Sequence, residues 1–188
     1  MDVIVRDATS ADAPAIARVH IDSWRSTYRG IVPDEYLAGL SYRERESAWV
    51  GRLTTPTKGV CTVVAQDERG TIEGFANGGP ERGDNGVHGI YAGELYAVYL
   101  ADERRGKGIG RACVRAVVDR LASQGLTSLL VWVLADNPAR GFYEALDGRY
   151  VCTRQIAIGG ISLDECAYGW ADTTALRRTA TNTVDKLC

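Results

Sequence analysis

The sequence predicts an α/β (α+β) domain in which a sheet of about seven strands is flanked by about four helices. Three observations lead to this fold class. Strand and helix patterns follow one another in the order strand, two helices, hairpin, strand, helix, strand, helix and two final strands. The run Leu129–Leu134 is continuously apolar, which is typical of a strand buried on both faces beneath packed helices. A basic, glycine-rich turn at 104–111 lies between a strand and a helix.

The first half of the chain predicts a strand, two helices and a hairpin. A short apolar run comes first, and polar capping residues then precede an amphipathic pattern that ends where glycine and proline break it. His20 lies on or beside the apolar face of this helix, where a packed or half-exposed imidazole is favoured over a catalytic one. The predicted ranges are 3–7 for the strand, 9 to the break at 30–33 for the first helix, 34 to about 53 for the second, and 59–65 with 71–77 for the hairpin.

The second half begins with a loop, 78–89, whose glycines and charged residues predict mobility. The strand that follows alternates, so that Glu94, Tyr96, Val98 and Leu100 are expected to share one face. The remaining predicted elements are this strand at 91–100, a helix at about 108–124, a strand at 129–134, a helix from the Asn137 cap and Pro138 to about 148, and an antiparallel pair at 150–158 and 163–170.

Length and composition indicate one globular domain with a C-terminal tail. The 188 residues fit a single domain, which we predict at 1–170. The threonine-rich residues 171–188 predict a tail, or an arm that orders against a partner, which leaves a homodimer open. A formal net charge of −2 argues against nucleic acid as a partner, because binding to phosphates needs a broad basic surface.

Neither a metal site nor a membrane segment is expected. The five cysteines are irregularly spaced and only two histidines accompany them, so neither a zinc site nor a disulfide framework is predicted. The longest apolar run, Leu129–Ala135, is far shorter than the roughly 18 residues that a membrane span requires. Free cysteines and the lack of a targeting pattern predict a cytoplasmic location.

The basic glycine turn has the chemistry of a phosphate-binding loop. Its glycines lie where a strand leads into a helix, so several backbone N–H groups and the helix dipole can meet an anion. The P-loop pattern fails because Gly108, not Ser or Thr, follows Lys107. The dinucleotide-binding pattern fails because Arg111 stands where its third glycine belongs. A plain strand-to-helix connection is the alternative, which the basic side chains of the turn disfavour.

Two motifs resemble the GNAT superfamily of acetyl-CoA-dependent N-acetyltransferases. The segment Arg105–Gly110 is similar to the family signature R/Q-x-x-G-x-G/A, and it also lies between a strand and a long helix. The segment Asn137–Glu144 resembles a later N-x-x-A-x-x-F-Y-E motif, and the predicted order of elements from 3 to about 170 matches the family fold. The resemblance implies a mixed, mostly antiparallel, twisted sheet and a reaction in which acetyl-CoA acetylates an amine.

The resemblance also implies which residues contact acetyl-CoA. The strand before the turn would pair with the pantetheine arm, and the turn itself would bind the pyrophosphate. Cationic side chains would meet the remaining phosphates or stay as solvated surface charges. The implied residues are Val98, Tyr99, Leu100, Arg105, Gly106, Lys107, Gly108, Ile109, Gly110, Arg111, Asn137 and Arg140. Two positions depart from the family pattern, since Asp147 stands where glycine is common and either Asp136 or Asn137 fills the polar position before the helix.

Glu94 and Tyr143 are the predicted catalytic residues. An amine with a Lys-like pKa of about 10.4 is mostly protonated at neutral pH, so its attack on a thioester needs a base. By its position alone, Glu94 lies either at an exposed strand end or in a cleft. The resemblance matches it to the strand carboxylate that several family members use as the base. Tyr143 stands where members commonly place a tyrosine, whose hydroxyl would protonate the departing thiolate, and a strand backbone N–H would polarise the carbonyl.

Aromatic residues around the first two helices are candidates for the acceptor site. Trp24, Tyr28 and Tyr36 either pack in the core or wall a ligand cleft, and we predict that they bind substrate. The loop 78–89, with its acidic side chains, would suit a cationic acceptor, so the predicted partner is a small-molecule or peptide amine. A noncatalytic acyl-CoA-binding or sensing module is the alternative, because it keeps the turn but needs neither catalytic residue.

Overall fold

The computed structural model describes residues 3–83 and 89–177, and in these ranges the chain forms one seven-stranded sheet with six helices. The strands are β1 Val3–Asp7, β2 Cys61–Asp67, β3 Ile72–Pro80, β4 Gly93–Leu100, β5 Leu129–Leu134, β6 Arg149–Ile158 and β7 Ile161–Trp170. The helices are α1 Ala13–Thr27, α2 Asp34–Ala38, α3 Tyr42–Thr54, α4 Ile109–Ala122, α5 Arg140–Glu144 and α6 Thr174–Arg177. Among the described residues, no helix is both long and apolar enough to cross a membrane.

The sheet opens between two of its central strands. Its order is β1-β2-β3-β4-β5-β7-β6, and every pair of neighbours is antiparallel except β4 and β5, which are parallel. These two strands pair only from Gly93 to Leu95 and from Leu129 to Val131. Beyond that point the strands separate. The predicted mixed, mostly antiparallel sheet is confirmed, and its gap connects the two faces.

Helices cover both faces of the sheet. On one face, α4 packs against β2, β3 and β4, and Val114, Val117 and Leu121 lie at helical spacing within the largest buried cluster. On the other face, α1 and α3 pack together, and Trp49 and Phe75 are fully buried between them and the sheet. The sheet is therefore the middle layer of three, and its gap lies between the two helical layers.

A β-bulge interrupts β4 at the edge of this gap. Asn77 of β3 pairs with Ala97, whereas the next residue, Gly78, pairs with Leu95. Tyr96 is thus an extra residue without a partner in β3. A bulge of this kind bends the strand and shifts the side chains after it by one position.

The bulge changes which side chains of β4 share a face. Strict alternation predicted that Glu94 and Tyr96 lie in line with Val98 and Leu100, and this prediction is wrong. Leu95 instead packs with Val98 and Leu100 in the cluster beneath α4. Because neighbouring residues of a strand point to opposite faces, Glu94 faces the layer that contains α1 and α3.

The second predicted helix is divided in two. A continuous helix was expected from 34 to about 53, but α2 ends at Ala38 and α3 begins only at Tyr42. Ser41 caps α3, because its side-chain oxygen accepts a hydrogen bond from the backbone N–H of Glu44 at 3.3 Å. Gly39 follows the last residue of α2, and Ser41 caps the start of α3. These two residues therefore divide the predicted helix.

The packed chain extends beyond two predicted boundaries. β3 continues to Pro80, so it includes the first residues of the predicted mobile loop. At the C-terminus, Leu176 is buried in the cluster beneath α4, and Arg177 donates to Asp119 at 3.0 Å. The predicted boundary at residue 170 therefore precedes the last packed segment. Residues 84–88 and 178–188, on which parts of the loop and tail predictions fall, lie outside the described residues.

His20 is buried on α1, in agreement with a packed imidazole. Its ring stacks on Tyr99 at a centroid distance of 4.8 Å, and the indole N–H of Trp49 donates to its Nδ1 atom at 3.4 Å. Burial, followed by the charges of Arg45 and Arg52, lowers the pKa of His20 to about 3. The imidazole is therefore neutral at pH 7 and accepts from Trp49.

This depressed pKa predicts that the protein loses stability in acid. The folded state binds the proton only near pH 3, whereas the unfolded chain binds it below about pH 6.5. The stabilisation is complete above pH 6.5 and is lost as the pH falls toward 3. Between pH 7 and pH 4, His20 should lower the free energy of unfolding by about 3 kcal/mol. Urea unfolding of the wild type and of His20→Gln at both pH values measures this, and equal losses in both proteins would contradict it.

Candidate active site

A cavity of about 770 Å³ crosses the sheet at the gap between β4 and β5. One wall is the strand edge from Tyr96 to Leu100, and the opposite wall is Val131 to Leu134. At one end the cavity reaches the glycine turn before α4, and at the other it reaches aromatic residues of α1 and apolar residues of β6. A molecule in the cavity would therefore contact both faces of the sheet.

The glycine turn forms the first end of the cavity. Gly106 and Gly108 have φ values of +72° and +79°, which glycine adopts without strain. Gly108 is the N-cap of α4, a helix of 14 residues, so the free N–H groups of its first turn and the helix dipole lie beside the cavity. This geometry suits a phosphate group.

The flanking side chains of the turn take different positions. Arg105 and Arg111 line the cavity, whereas Lys107 is exposed outside its lining. Ile109, the first residue of α4, is buried in the largest core cluster. Arg105 is held by Asp102 at 2.7 Å, so its guanidinium is already oriented. Of the four cationic side chains at 104–111, two line the cavity, Lys107 is exposed, and Arg104 donates to Glu73 at 2.6 Å.

Arg140 lies away from the cavity lining. Its Nε atom donates to the hydroxyl of Tyr168 at 3.0 Å, and its Nη1 atom donates to the carbonyl of Ala135 at 3.0 Å. These bonds attach the start of α5 to β7 and to the end of β5. The predicted contact between Arg140 and a phosphate stays a prediction.

The edge of β4 along the gap can receive an extended ligand. Val98, Tyr99 and Leu100 line the cavity, and beyond Leu95 the structure describes no strand that pairs with β4 on the β5 side. Backbone amide groups on an open strand edge need hydrogen-bond partners. A pantetheine arm carries two amide groups that could add to this edge in the way a peptide strand adds to a sheet.

Tyr143 lies on α5 and lines the cavity. Its side chain is buried, and its ring packs edge-on against Phe142 at 5.3 Å. Its hydroxyl forms no hydrogen bond with any residue in the described ranges. Burial, followed by the nearby phenol of Tyr28, raises the pKa of Tyr143. The phenol therefore keeps its proton at neutral pH and can donate it within the cavity.

Asn137 provides the polar group before α5. Its Oδ1 atom accepts from the backbone N–H of Ala139 at 2.8 Å, and its Nδ2 atom donates to the hydroxyl of Tyr28 at 3.3 Å. Asn137 is buried and lines the cavity, whereas Asp136 is exposed and does not. Asp147, which stands where the family pattern has glycine, has a φ of +61°, so its left-handed conformation explains why glycine suits that position.

Aromatic groups from α1 form the second end of the cavity. Trp24 and Tyr28 line it, and both reach Tyr99 of β4: the Trp24 indole N–H donates to the Tyr99 hydroxyl at 2.9 Å, and the Tyr28 hydroxyl lies 3.5 Å from it. Tyr36 does not line the cavity. It is 38% exposed and packs beside Trp24 at 6.2 Å.

Glu94 is fully buried, with an exposed fraction of 0%, so it does not lie at an exposed strand end. It is also not among the residues that line the cavity. Both of its carboxylate oxygens accept hydrogen bonds from the guanidinium of Arg82, and Oε2 also accepts from the backbone N–H of Arg82 at 3.2 Å. The guanidinium itself lies over the ring of Tyr96 at 4.5 Å. The carboxylate thus holds the chain after β3 against the bulge of β4.

Sequence analysis did not identify Glu165 as a site residue, although it lines the cavity. It lies on β7 opposite Leu134 of β5 and Arg154 of β6, and Arg154 binds it at 2.8 Å. A signal for this pair was present in the sequence. A hairpin that turns at Gly159 and Gly160 places positions 154 and 165 opposite each other, which brings an arginine and a glutamate together. In the described residues, no cluster of three metal-ligating side chains occurs.

Comparison with known proteins gives consistent matches. A family model described as FR47-like protein matches residues 74–156. An uncharacterised N-acetyltransferase, YuaI of Bacillus subtilis, is 43% identical over 175 residues, which cover 93% of this chain and 96% of that protein. An L-methionine sulfoximine/L-methionine sulfone acetyltransferase of Pseudomonas aeruginosa is 30% identical over 139 residues, which cover 74% of this chain and 75% of that protein.

Solved structures show the same fold. A ribosomal-protein-alanine N-acetyltransferase from Brucella melitensis superimposes with a TM-score of 0.68 at 24% identity, covering 89% of this chain and 98% of that chain. The acetyltransferase yncA from Salmonella typhimurium, described as putative and solved with acetyl-CoA, superimposes with a TM-score of 0.65 at 19% identity, covering 90% and 94%.

Proposed function

The chain belongs to the GNAT superfamily of N-acetyltransferases, and from this premise we propose that it transfers the acetyl group of acetyl-CoA to a primary amine of a small molecule or peptide. The observation that carries the proposal is the cavity that crosses the sheet, with an anion-binding helix start at one end and the free hydroxyl of Tyr143 within it. The phosphates of acetyl-CoA would bind at the glycine turn, and its pantetheine arm would lie along β4.

The chemistry follows from these positions. Before the attack, the base takes one proton from the ammonium form of the acceptor. The neutral amine then attacks the thioester carbonyl directly, and a backbone N–H of β4 stabilises the oxyanion. When the tetrahedral intermediate collapses, the C–S bond breaks and its electron pair remains on sulfur. Tyr143 donates its proton to this thiolate, and the extra proton on the nitrogen of the new amide returns to the Tyr143 oxygen. The phenol is suited to the acid role because burial keeps it protonated.

Glu94 is the proposed base, on the grounds of its strand position. Its carboxylate is bound by Arg82 and has no exposed surface, so it can receive a proton only when Arg82 moves aside. This requirement separates Glu94 from Tyr143, which is among the residues that line the cavity. The two assignments therefore need separate tests.

The proposal also covers the class of acceptor, the cellular location of the enzyme and its oligomeric state. The Pseudomonas relative is named for two amino-acid derivatives, which supports small primary amines as the first class to examine. We propose a cytoplasmic enzyme that needs no metal, binds neither nucleic acid nor membrane, and forms a homodimer.

The proposed function is tested by binding and turnover. Titration calorimetry should detect acetyl-CoA binding, and incubation with acetyl-CoA and a panel of amino acids, polyamines, aminoglycosides and peptides should yield an acetylated amine by mass spectrometry. Mass detection is preferable to thiol reagents because the protein has five cysteines of its own. Absence of binding would overturn the proposal, and binding without transfer to any amine would favour a sensing module.

A further inference from the structure

Among the described residues, one acidic group lines the acceptor end of the cavity. Of the described residues that line the cavity, Glu165 is the only one with a carboxylate. The two arginines in the lining, Arg105 and Arg111, lie at the glycine turn instead. The charges of the lining are therefore separated, with cations at the proposed phosphate end and an anion at the other.

One oxygen of Glu165 is held and the other is open. Arg154 donates to Oε2 through Nε at 3.0 Å and through Nη2 at 2.8 Å. The Oε1 atom accepts no hydrogen bond from any residue that the structure describes. The side chain is 14% exposed, and a carboxylate oxygen in such partly buried surroundings gains most from a charged N–H donor. With respect to the described residues, Oε1 is thus an acceptor without a donor, on a carboxylate whose other oxygen is held by Arg154.

Arg154 is itself fixed, which keeps the carboxylate in one orientation. Its guanidinium lies 3.9 Å from the centre of the Trp132 ring, and β6 and β7 pair on both sides of it. Trp132 also lines the cavity. The carboxylate, the arginine and the indole therefore form one unit on the three strands β7, β6 and β5.

The rest of this end is apolar or aromatic. The walls are formed by Trp24, Tyr28, Trp132, Leu134, Ile156 and Ile158. Burial first, and the negative charge of Glu165 as a smaller cause, raise the pKa of Tyr28, which places the carboxylate near this wall. An ammonium group enters such surroundings only if a carboxylate meets it, whereas a hydrocarbon body packs well there.

We propose that Glu165 binds the amino group of the acceptor, with its Oε1 atom accepting a hydrogen bond from the ammonium form. The proposal rests on the proposed acetyl transfer and specifies its substrate class: a primary amine with one cationic group and an apolar or aromatic body. Glu165 determines which amines enter, and acetyl-CoA binding does not depend on it because the glycine turn lies at the opposite end.

The substitution Glu165→Gln tests this role. The glutamine keeps the shape and can still accept from Arg154, but it lacks the charge. KM for the amine should rise about tenfold or more, because a hydrogen bond to a charged group is lost, while KM for acetyl-CoA should stay within about twofold. Asp164→Asn is the matched control, since Asp164 is the neighbouring carboxylate on β7 but is exposed outside the cavity lining. An unchanged KM for the amine, or an equal rise for acetyl-CoA, would overturn the proposal.

A measurement of ligand binding tests the proposed ammonium site without the need for enzymatic turnover. The protein saturated with CoA is titrated with n-butylammonium chloride and, separately, with n-butanol as the neutral match. The wild type should bind n-butylammonium more tightly than n-butanol. In Glu165→Gln, the ratio of the two Kd values should fall by about tenfold. Equal binding of cation and alcohol by the wild type would overturn the role of Glu165. If the cation binds as expected but no amine is ever acetylated, the proposed function fails and the ammonium site remains. Glu165→Asp replaces the glutamine variant if the latter does not fold.

Discussion

Tyr143→Phe is expected to lower kcat by about a hundredfold or more while the Kd of acetyl-CoA stays within about twofold. The substitution removes only a hydroxyl that forms no hydrogen bond with the described residues, so the ring contact with Phe142 and the packing of α5 should persist. Without a proton donor in the cavity, the thiolate has to leave as an anion in surroundings that already disfavour the charged form of Tyr143. The defect should therefore appear in the chemical step.

Steady-state kinetics at saturating amine, with acetyl-CoA binding measured by calorimetry, separate the two effects. Tyr168→Phe is the control, because Tyr168 is a buried tyrosine stacked near Tyr143 at 6.4 Å but does not line the cavity. Its hydroxyl bonds to Glu144 and Arg140, so that variant should lose some stability and keep most of its rate. A Tyr143→Phe enzyme with the full wild-type rate would show that the leaving thiolate is protonated by another group.

Local chemistry predicted the elements that a few neighbouring residues determine. The glycine turn and the start of α4 follow from short motifs, because φ values and helix caps depend on the residues themselves. Tyr143 was assigned through the family resemblance, and its helix α5 begins at Arg140 and ends at Glu144, so it is shorter than the helix predicted from the Asn137 cap to about 148. The number of strands followed from short runs of strand-forming residues that are separated by turns or helices. The resemblance implied only a mixed, mostly antiparallel sheet. The parallel β4–β5 pair and the gap beside it were not predicted, since strand pairing joins residues that are distant in the chain.

The register of strand pairing could not be predicted from the sequence. The bulge at Tyr96 arises from how β4 pairs with β3, and nothing in β4 alone shows that one residue will lack a partner. Because the prediction assumed strict alternation along β4, it assigned Glu94 to the same face as Val98 and Leu100. The pairing of Glu94 with Arg82 depends equally on a chain reversal after β3, and the cavity position of Glu165 depends on three strands meeting. Long-range pairing of this kind sets which carboxylates are buried and which face a ligand.

Arg82→Ala is expected to lower the free energy of unfolding by about 3 kcal/mol. The substitution leaves the carboxylate of Glu94 fully buried without the guanidinium that binds both of its oxygens. This value is the lower end of the loss expected when one partner of a buried ion pair is removed. The Arg82 side chain is 54% exposed, so water can replace some of its hydrogen bonds to Glu94. Urea unfolding measures the change. Arg115→Ala is the matched control, since its pair with Asp119 is exposed on α4 and should contribute less than about 0.5 kcal/mol.

The double variant Arg82→Ala with Glu94→Gln identifies the cause of that loss. A neutral amide is less costly to bury than an unpaired carboxylate, so the second change should restore part of the stability that the first removes. Additive losses would show that the buried charge is not the origin. Glu94→Gln alone then decides the role in catalysis. If Glu94 receives the proton of the amine, the acid limb of the kcat/KM profile against pH disappears together with most of the rate. If most of the rate persists, Glu94 serves only to anchor Arg82 beside the bulge.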